Sequence, residues 1–572
     1  MAIYRSDQAQ LTFGVEAAQG GHPELASAVT DGTGSAVINN SAGYAAGTRT
    51  LTVDALSGIT AGEFIQIGPE VSGSGTTRAS EVRKVEYVDG TTGLTLDAPT
   101  AFFHPDNTNI QVVTGVTDTD GNKYIDLIPG VYETVDLPDM APSIEPRYFL
   151  GTASKRNFFA AYSGQQTYTG SIGGFVLLNG KALRFPIGQV ATSTAFVNTA
   201  GSSNDPSYGA MINGAVKKGD VHVTVDAAFG SIVQNSYIVF TGSTTQATES
   251  SSTSEVRQHI GADSTTALLL DYPLQFDHAD DEFVYLVMTT DGGTTVATPS
   301  NTVATFTHAI TEKTDLDSVT WHAHMRASDE DADKDFDRRY YGGKIGSASI
   351  SAEEGGLVTM SWDGVQFLGM ITNQQYNTGF SSSTNHPFYS LMQKIDSDDV
   401  NFPTTDPYYF SQGEVSMFGQ TIARLRNFTL SISNGEEARY YIQKQMGRRK
   451  GPVETKENRR EYSMSATIAL PDALTSASTA ARTLFTEMLL EGDYGSGKAG
   501  FNITLTFTRG TNDTITITIP DDGSAGTGGN NQGAFIRSAQ HDFGGDNPFQ
   551  VDADILFRNM KIDVVDSEHY YP

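Results

Sequence analysis

The chain has 572 residues, more than one hydrophobic core normally supports, so several compact units are expected. It contains no cysteine, which excludes disulfide bonds and thiolate metal sites. The net charge of −30 argues against binding to duplex DNA or to an anionic membrane, and no stretch approaches the roughly 20 apolar residues that span a bilayer.

One long segment occurs twice. "SEVRKVEYVDGTTGLTLDAPTAFFHPDN" begins at Ser80, and "SEVRQHIGADSTTALLLDYPLQFDHADD" begins at Ser254. The similarity extends back to Leu51 and Val223, and the pairs that match include Asp97/Asp271, Pro99/Pro273, Phe102/Phe276 and His104/His278. Alternating apolar residues predict half-buried strands in both copies. We therefore predict two inserted small β-modules of immunoglobulin-like type, residues 45–113 and 216–290, in a host domain formed by residues 1–44, 114–215 and 291–572.

The host segments also predict strands. Apolar residues alternate with threonine from Phe501 to Ile519 around a Gly-Thr-Asn-Asp turn, which indicates a hairpin. A second hairpin is predicted around Asn434-Gly435. From Ser476, the apolar residues follow a helical period until Gly492, which indicates one amphipathic helix lying on a sheet. The fold class is thus all-β with one flanking helix.

Several motifs have the composition of chemical sites but lack an essential part. "GDYGSGKA" (residues 492–499) nearly matches a phosphate-binding loop, yet Ala499 replaces the hydroxyl residue and the loop leads from a helix into a strand. His322 and His324 in "WHAHM" share a strand face without a third ligand fixed by the sequence. The acidic loops at residues 118–126 and 329–337 lack the ligand or glycine pattern of a calcium loop. No catalytic, cofactor or metal residues are predicted, and the chain is not expected to be an enzyme.

Basic residues concentrate in one segment of this acidic chain, residues 439–460. It contains Arg439, Lys444, Arg448, Arg449, Lys450, Lys456, Arg459 and Arg460. A nucleic-acid site is one interpretation. Because the chain is so acidic overall, we favour a basic arm that contacts the acidic surface of a neighbouring copy, where opposite charge gives register and specificity.

Three groups of motifs resemble one protein family. The segments are "YRSDQAQLTFGVEAAQGGHPELAS" near the start, "RYYGGKIGSASISAEEGGLVTMSWDGVQF" (Arg339 to Phe367), and the order from "PYYFSQGEVSMFG" through the basic segment to the helix and the Thr-rich hairpin. They are similar to the tail tube (major tail) proteins of long-tailed, siphovirus-like viruses. The acidic composition with few lysines also resembles proteins of salt-loving archaea, which suggests a haloarchaeal host.

The resemblance implies a structural virion protein with a sandwich or barrel-forming main domain. Such proteins form stacked rings, usually hexameric and sometimes trimeric with a doubled fold, and each subunit lends strands to a closed inner barrel. The implied partners are further copies of the chain, a tape-measure protein, and tail terminator and tip proteins. Viral DNA would pass through the lumen without specific binding, no cofactor or membrane would be involved, and the tail would be assembled in the host cytoplasm. The alternative is an extracellular β-sandwich protein for adhesion or glycan binding.

Overall fold

The computed structural model describes most of the chain. The described residues are 4–21, 29–68, 80–116, 127–128, 130–139, 143–148, 160–194, 209–227, 234–245, 248–260, 266–291, 295–299, 305–327, 336–372, 405–417, 420–421, 425–441, 451–469, 501–510, 512–522, 533–542 and 550–571. Within these ranges the chain forms strands, turns and two short 3-10 segments, Lys181–Arg184 and Phe410–Gln412, and no α-helix. The predicted all-β class is therefore confirmed. The predicted helix at 476–492 lies outside the described residues.

Twelve strands precede the second repeat. They are β1 (Tyr4–Val15), β2 (Val29–Val37), β3 (Thr50–Thr52), β4 (Phe64–Ile67), β5 (Glu81–Asp89), β6 (Gly93–Leu96), β7 (Asn109–Val116), β8 (Val135–Asp136), β9 (Ile144–Arg147), β10 (Ala160–Ser163), β11 (Tyr168–Val176) and β12 (Gly188–Ser193). The second repeat and the segment that follows it contain β13 (Gly209–Met211), β14 (His222–Thr224), β15 (Tyr237–Phe240), β16 (Glu255–Gln258), β17 (Ala267–Leu269), β18 (Phe283–Leu286), β19 (Met288–Asp291) and β20 (Thr295–Pro299).

The remaining strands follow in chain order to the end of the described residues. They are β21 (Phe306–Glu312), β22 (Val319–Ala327), β23 (Phe336–Gly343), β24 (Ser347–Glu353), β25 (Thr359–Phe367), β26 (Gly369–Thr372), β27 (Gly413–Met417), β28 (Gln420–Thr421), β29 (Leu425–Ser433), β30 (Glu437–Arg439), β31 (Glu454–Lys456), β32 (Glu461–Ala469), β33 (Ile503–Gly510), β34 (Asp513–Ile519), β35 (Ala534–Asp542), β36 (Gln550–Phe557) and β37 (Lys561–Asp566).

Three antiparallel sheets form the main domain. Their strand orders are β35-β36-β32-β29-β24-β25-β11-β8 for the eight-stranded sheet, β12-β21-β37-β34-β33-β27-β28 for the seven-stranded sheet, and β1-β22-β23-β26 for the four-stranded sheet. All three contribute to one hydrophobic core, in which Trp321 and Trp362 are fully buried and Phe428 of the eight-stranded sheet contacts Phe507 of the seven-stranded sheet. Strands such as β24, β34 and β37 bury alternate residues, because successive side chains in a strand point to opposite faces.

The hairpin predicted over Phe501–Ile519 is confirmed, with Ile503 opposite Ile519. The hairpin predicted around Asn434-Gly435 is wrong, because β29 pairs with β24 and β32 and not with β30. Asn434 is buried, and its amide donates to the carbonyl oxygens of Pro186 and Ile345. These bonds fix the turn in an orientation in which the chain leaves the sheet and enters the separate ribbon β30-β31.

The two repeats have the same strand pairing. In the first, β2 to β7 form one sheet of order β2-β7-β4-β5-β6-β3; in the second, the equivalent strands are ordered β13-β18-β15-β16, with β14-β17 beside them. Each repeat has its own apolar core. The two cores include Ala36 and Ala210, which precede residues 45 and 216, the predicted starts. We call β2–β7 the first module and β13–β18 the second module.

Candidate assembly surface

The eight-stranded sheet has one buried face and one polar face. In β24, Ala348, Ile350 and Ala352 are buried, whereas the serines between them are half-exposed. The same alternation runs through the neighbouring strands. The side chains of the polar face include Thr359, Ser361 and Asp363 on β25, Ser347, Ser349 and Ser351 on β24, Thr429, Ser431 and Ser433 on β29, Ser463, Ser465 and Thr467 on β32, and Asp552 and Asp554 on β36.

Hydroxyl groups on this face bond to one another and to carboxylates. The hydroxyl oxygens of Ser349 and Ser361 lie 2.8 Å apart, and the Thr467 hydroxyl donates to Asp552 Oδ1 at 2.7 Å. Such cross-strand pairs stabilise a sheet. They also leave a surface made mainly of short side chains.

Negative charge exceeds positive charge on the polar face. Its acidic residues are Asp136, Glu353, Asp363, Glu461, Asp552 and Asp554. In the described strands of this sheet, Arg426 and Arg537 are the arginines near the face, and both have carboxylate partners: Arg426 Nε lies 3.1 Å from Glu354, and Arg537 Nη2 lies 2.6 Å from Asp554. The face would therefore repel a polyanion.

The two edges of the sheet differ in length. β35 has nine residues and pairs with β36; on its other side, among the described residues, only Ala534 has a partner, Phe501. β8 at the opposite edge has two residues and covers Ser171 and Ile172 of β11. A long strand with an unpaired edge readily adds another strand. The connection between β8 and β11 contains the two-stranded ribbon β9-β10, on which Ile144, Tyr148 and Tyr162 are 60% exposed or more.

The β24-β29 pair lies at the centre of the eight-stranded sheet, with Ile350 opposite Leu430. The polar and apolar positions of the two strands have the same phase, so the polar face continues across this pair.

The predicted basic contact residues have different surroundings. Arg439 and Arg459 are exposed and lie near Glu437 and Glu461 respectively. Arg460 is mostly buried: its guanidinium donates to Asn434 Oδ1 at 2.8 Å and to the carbonyl oxygens of Ile187 and Lys313 at 3.1 Å. These hydrogen bonds of Arg460 are all made within its own chain. Lys444, Arg448, Arg449 and Lys450 lie outside the described residues.

A group of charged residues lies at the root of the basic arm. Lys344 Nζ is 2.6 Å from Asp315 and 3.2 Å from Glu457. Glu436 follows the Asn434-Gly435 turn, and both of its carboxylate oxygens are buried without a hydrogen-bond partner. Burial raises the pKa of Glu436 to about 8; Lys344 opposes this shift and Glu457 adds to it. Glu436 is therefore mainly uncharged at neutral pH.

Each module contains a buried ionic cluster that the repeated motif supplies. In the first module, the Glu81 carboxylate lies 2.6 Å from both Arg83 Nη2 and His104 Nε2. It also accepts hydrogen bonds from the backbone N–H groups of Ala101 and Phe102. Burial alone would raise the pKa of Glu81, but the Arg83 guanidinium and the bond to His104 hold it below its usual value.

The second module repeats the cluster residue for residue. Glu255 binds Arg257 Nη2 at 2.5 Å and His278 Nε2 at 2.8 Å. It accepts the backbone N–H groups of Gln275 and Phe276. Glu282 adds a second carboxylate, 2.8 Å from His278 Nδ1. Burial would lower the pKa of His278, but its bonds to Glu255 and Glu282 raise it to about 9. The recurring Ser-Glu-Val-Arg and histidine positions were the signal in the sequence for this cluster.

The other chemical candidates do not form a site in the described part of the chain. His322 and His324 are buried on β22, with ring centroids 6.3 Å apart, and no group of three or more metal-ligating side chains is found among the described residues. The phosphate-loop-like segment 492–499 and the acidic segment 118–126 lie outside those residues, as does most of the acidic segment 329–337. No helix among the described residues is long and apolar enough to cross a membrane.

Comparison with known proteins gives no family for the chain. No protein-family model matches it. No curated protein matches its sequence either.

Proposed function

We propose that the protein is a tail tube protein, which forms stacked rings around a lumen for viral DNA. The polar, acidic face of the eight-stranded sheet carries this proposal. A conduit for DNA needs a wall that does not retain phosphate groups, and this face has short hydroxyl side chains and an excess of carboxylates over cations. The resemblance of the three sequence segments to tail tube proteins is consistent with this role.

The position of the modules supports one orientation of the subunit in the proposed tube. The second module lies in the chain between edge strand β12 and its neighbour β21 of the seven-stranded sheet. It contacts both strands, since Thr192 N–H of β12 donates to the Ser254 carbonyl oxygen at 2.9 Å and Phe306 of β21 packs against Val239 and Val256. The second module therefore lies beside the seven-stranded sheet, and the first module packs on the second. In the proposed tube the polar face of the eight-stranded sheet would line the lumen, and the modules would lie outside.

The number of strands favours three chains in a ring. With strands about 4.8 Å apart and tilted by about 40°, each strand occupies about 6.3 Å of a barrel's circumference. Three eight-stranded sheets would form a barrel about 48 Å across, whereas two would give about 32 Å and six about 96 Å. Once lining side chains are included, two copies leave almost no clearance for a DNA duplex.

The edges of the sheet supply the contacts between copies. In a ring, β35 of one copy would pair with the β8-β11 edge of the next, which closes the barrel and covers the edge positions that have no partner among the described residues. The exposed apolar residues of ribbon β9-β10 and the basic arm would contact neighbouring copies. The tape-measure, terminator and tip proteins would be the other partners of the tube, located in the virion tail.

A labelling experiment tests this arrangement. Because the chain contains no cysteine, single cysteines can be introduced at Ser465 on the polar face and at Thr224, which is exposed on the second module. In dispersed subunits both should react with a bulky maleimide. In assembled particles Cys at 465 should be protected while Cys at 224 remains reactive. Equal reactivity of both sites in a protein that never assembles would instead support the adhesion or glycan-binding alternative.

A further inference from the structure

The repeated loops at residues 97–102 and 271–276 have a shared role within each module. Asp97 Oδ1 accepts the backbone N–H groups of Lys84 and Ala98, and Asp271 Oδ1 accepts those of Gln258 and Tyr272. We call these segments the docking loops. In the second module the other carboxylate oxygen, Asp271 Oδ2, has a further partner outside the module: His569 Nε2, at 2.6 Å.

His569 belongs to a segment that covers the second docking loop. This segment, residues 566–571, is here called the clasp. The Tyr570 ring stacks on the Tyr272 ring, with centroids 4.0 Å apart and planes inclined by 10°. The Arg257 guanidinium, a member of the buried ionic cluster, lies 4.7 Å from the centroid of the same Tyr570 ring. Gln275 Nε2 donates to the Tyr571 carbonyl oxygen at 2.5 Å.

The clasp is itself held firmly by the main domain. Tyr571 is 1% exposed; its hydroxyl donates to Asp566 and accepts the Gly180 N–H at 2.9 Å. The Tyr571 ring stacks on His308, with centroids 3.7 Å apart. His308 Nε2 also bonds to the Glu568 carbonyl oxygen at 2.8 Å. The clasp thus joins the seven-stranded sheet to the second module, beside an apolar contact in which Phe306 packs against Val239, Val256 and Val287.

The first docking loop contacts a different surface, the side of the second module at β14 and β17, here called its back surface. Ala101 and Phe102 pack against Val221, with Leu269 and Tyr272 alongside. Phe103 N–H donates to the Gly219 carbonyl oxygen at 3.2 Å. The contact is head to tail, because equivalent loops meet non-equivalent surfaces.

The equivalent back surface of the first module, at β3 and β6, does not have the apolar residues that would bind a further docking loop. Strand pairing places Arg49 and Thr95 at the positions of Val221 and Leu269. Arg49 turns back onto its own module, where its Nε donates to the Leu96 carbonyl oxygen at 2.9 Å. A polar terminal surface of this kind ends a series of stacked units.

From these contacts we infer that the docking loops are one repeated interaction surface, and that the clasp is the partner that fastens the second module, with the first module carried on it, to the main domain. The modules then project as one rigid pair at a fixed angle. This inference concerns contacts within one chain and holds whether or not the protein forms tubes.

Distances between spin labels test the order of attachment. Cysteines at exposed positions Asp521, Thr224 and Thr52 report on the main domain, the second module and the first module. In the otherwise unsubstituted chain, the 521–224 and 521–52 pairs should both give narrow distance distributions. His569→Ala with Tyr570→Ala removes the side chains of the clasp that contact the second module and should broaden both distributions.

A matched variant separates the two contacts. Val221→Arg with Leu269→Thr gives the second module the residues that the first module already tolerates, so its fold should be retained. It should broaden the 521–52 distribution and leave the 521–224 distribution narrow. If circular dichroism shows that the double clasp variant is not folded, His569→Ala alone replaces it. This single variant should broaden the 521–224 and 521–52 distance distributions by a smaller amount.

Two results would overturn the inference. The first is a narrow 521–224 distribution in the folded clasp variants. The second is a narrow 521–52 distribution in the Val221→Arg, Leu269→Thr variant, which would mean that the first module is held directly by the main domain. That competing contact lies at Gly20 and Gly21; a side chain at Gly21 would meet the Thr100 carbonyl oxygen at 2.7 Å.

Discussion

The ionic cluster of the second module gives a stability prediction with an internal control. Glu255→Gln removes the charge that faces Arg257 and His278, both of which are buried, while leaving the size of the side chain almost unchanged. Removing one partner from a buried ion pair destabilises a protein by about 3–5 kcal/mol, because the remaining charges stay buried without compensation. Two backbone N–H groups, those of Gln275 and Phe276, also lose a charged acceptor.

Native-state hydrogen exchange measures this loss within the intact chain. The amides of β15, β16 and β18 should exchange about two to nearly four orders of magnitude faster in the Glu255→Gln variant, since about 1.36 kcal/mol corresponds to a factor of ten. The first module, whose Glu81 cluster is unchanged, should keep its protection. Glu81→Gln should give the reverse pattern. Acceleration of less than about tenfold in the substituted module would contradict this reasoning. It would mean that the buried Arg and His do not depend on the carboxylate for their stability.

Three further predictions concern pH and assembly. The pKa of His278 is raised to about 9 in the folded module, above its ordinary 6.5. The stabilisation from protonated His278 should therefore be complete below pH 6.5 and lost as the pH rises through about 9. A melting temperature of the second module that is constant between about pH 6 and 10 would contradict this. The pKa of Glu436 is raised to about 8 from its ordinary 4.5, so folding should become less favourable as the pH rises from about 4.5 through 8, and Glu436→Gln should remove this dependence in melting curves measured against pH. Changing Arg448, Arg449 and Lys450 to Glu should weaken polymerisation in sedimentation assays, whereas the charge-conserving changes Arg448→Lys, Arg449→Lys and Lys450→Arg should not; normal polymerisation of the Glu variant would show that these residues are merely solvated.

Local patterns in the sequence predicted much of the fold. Strict alternation with threonine indicated the hairpin of β33 and β34, because the side-chain period of a strand is visible in the residues themselves. The Asn434-Gly435 turn was misread for a physical reason. The dipeptide favours a tight hairpin locally, but tertiary bonds from the Asn434 amide redirect the chain.

The surfaces were harder to predict than the strands. Glu81, Arg83 and His104 come together because of the strand register and a loop that folds back over β5. The repeat marked these residues as shared by the two copies, but it did not show that they contact one another. The polar face of the eight-stranded sheet depends on strands from distant parts of the chain, such as β11 and β36, that lie in one sheet. The clasp contact joins Asp271 to His569, and nothing in the local sequence of either residue indicates the other.

Electron cryomicroscopy of the assembled protein at high salt tests the central claim most directly. The account predicts a tube whose rings contain three copies of the chain, with the eight-stranded sheets joined edge to edge into one barrel, Ser465 and Asp552 facing the lumen, and the modules outside. A protein that remains monomeric under all conditions, or a tube in which the polar face of the eight-stranded sheet points outwards, would contradict it.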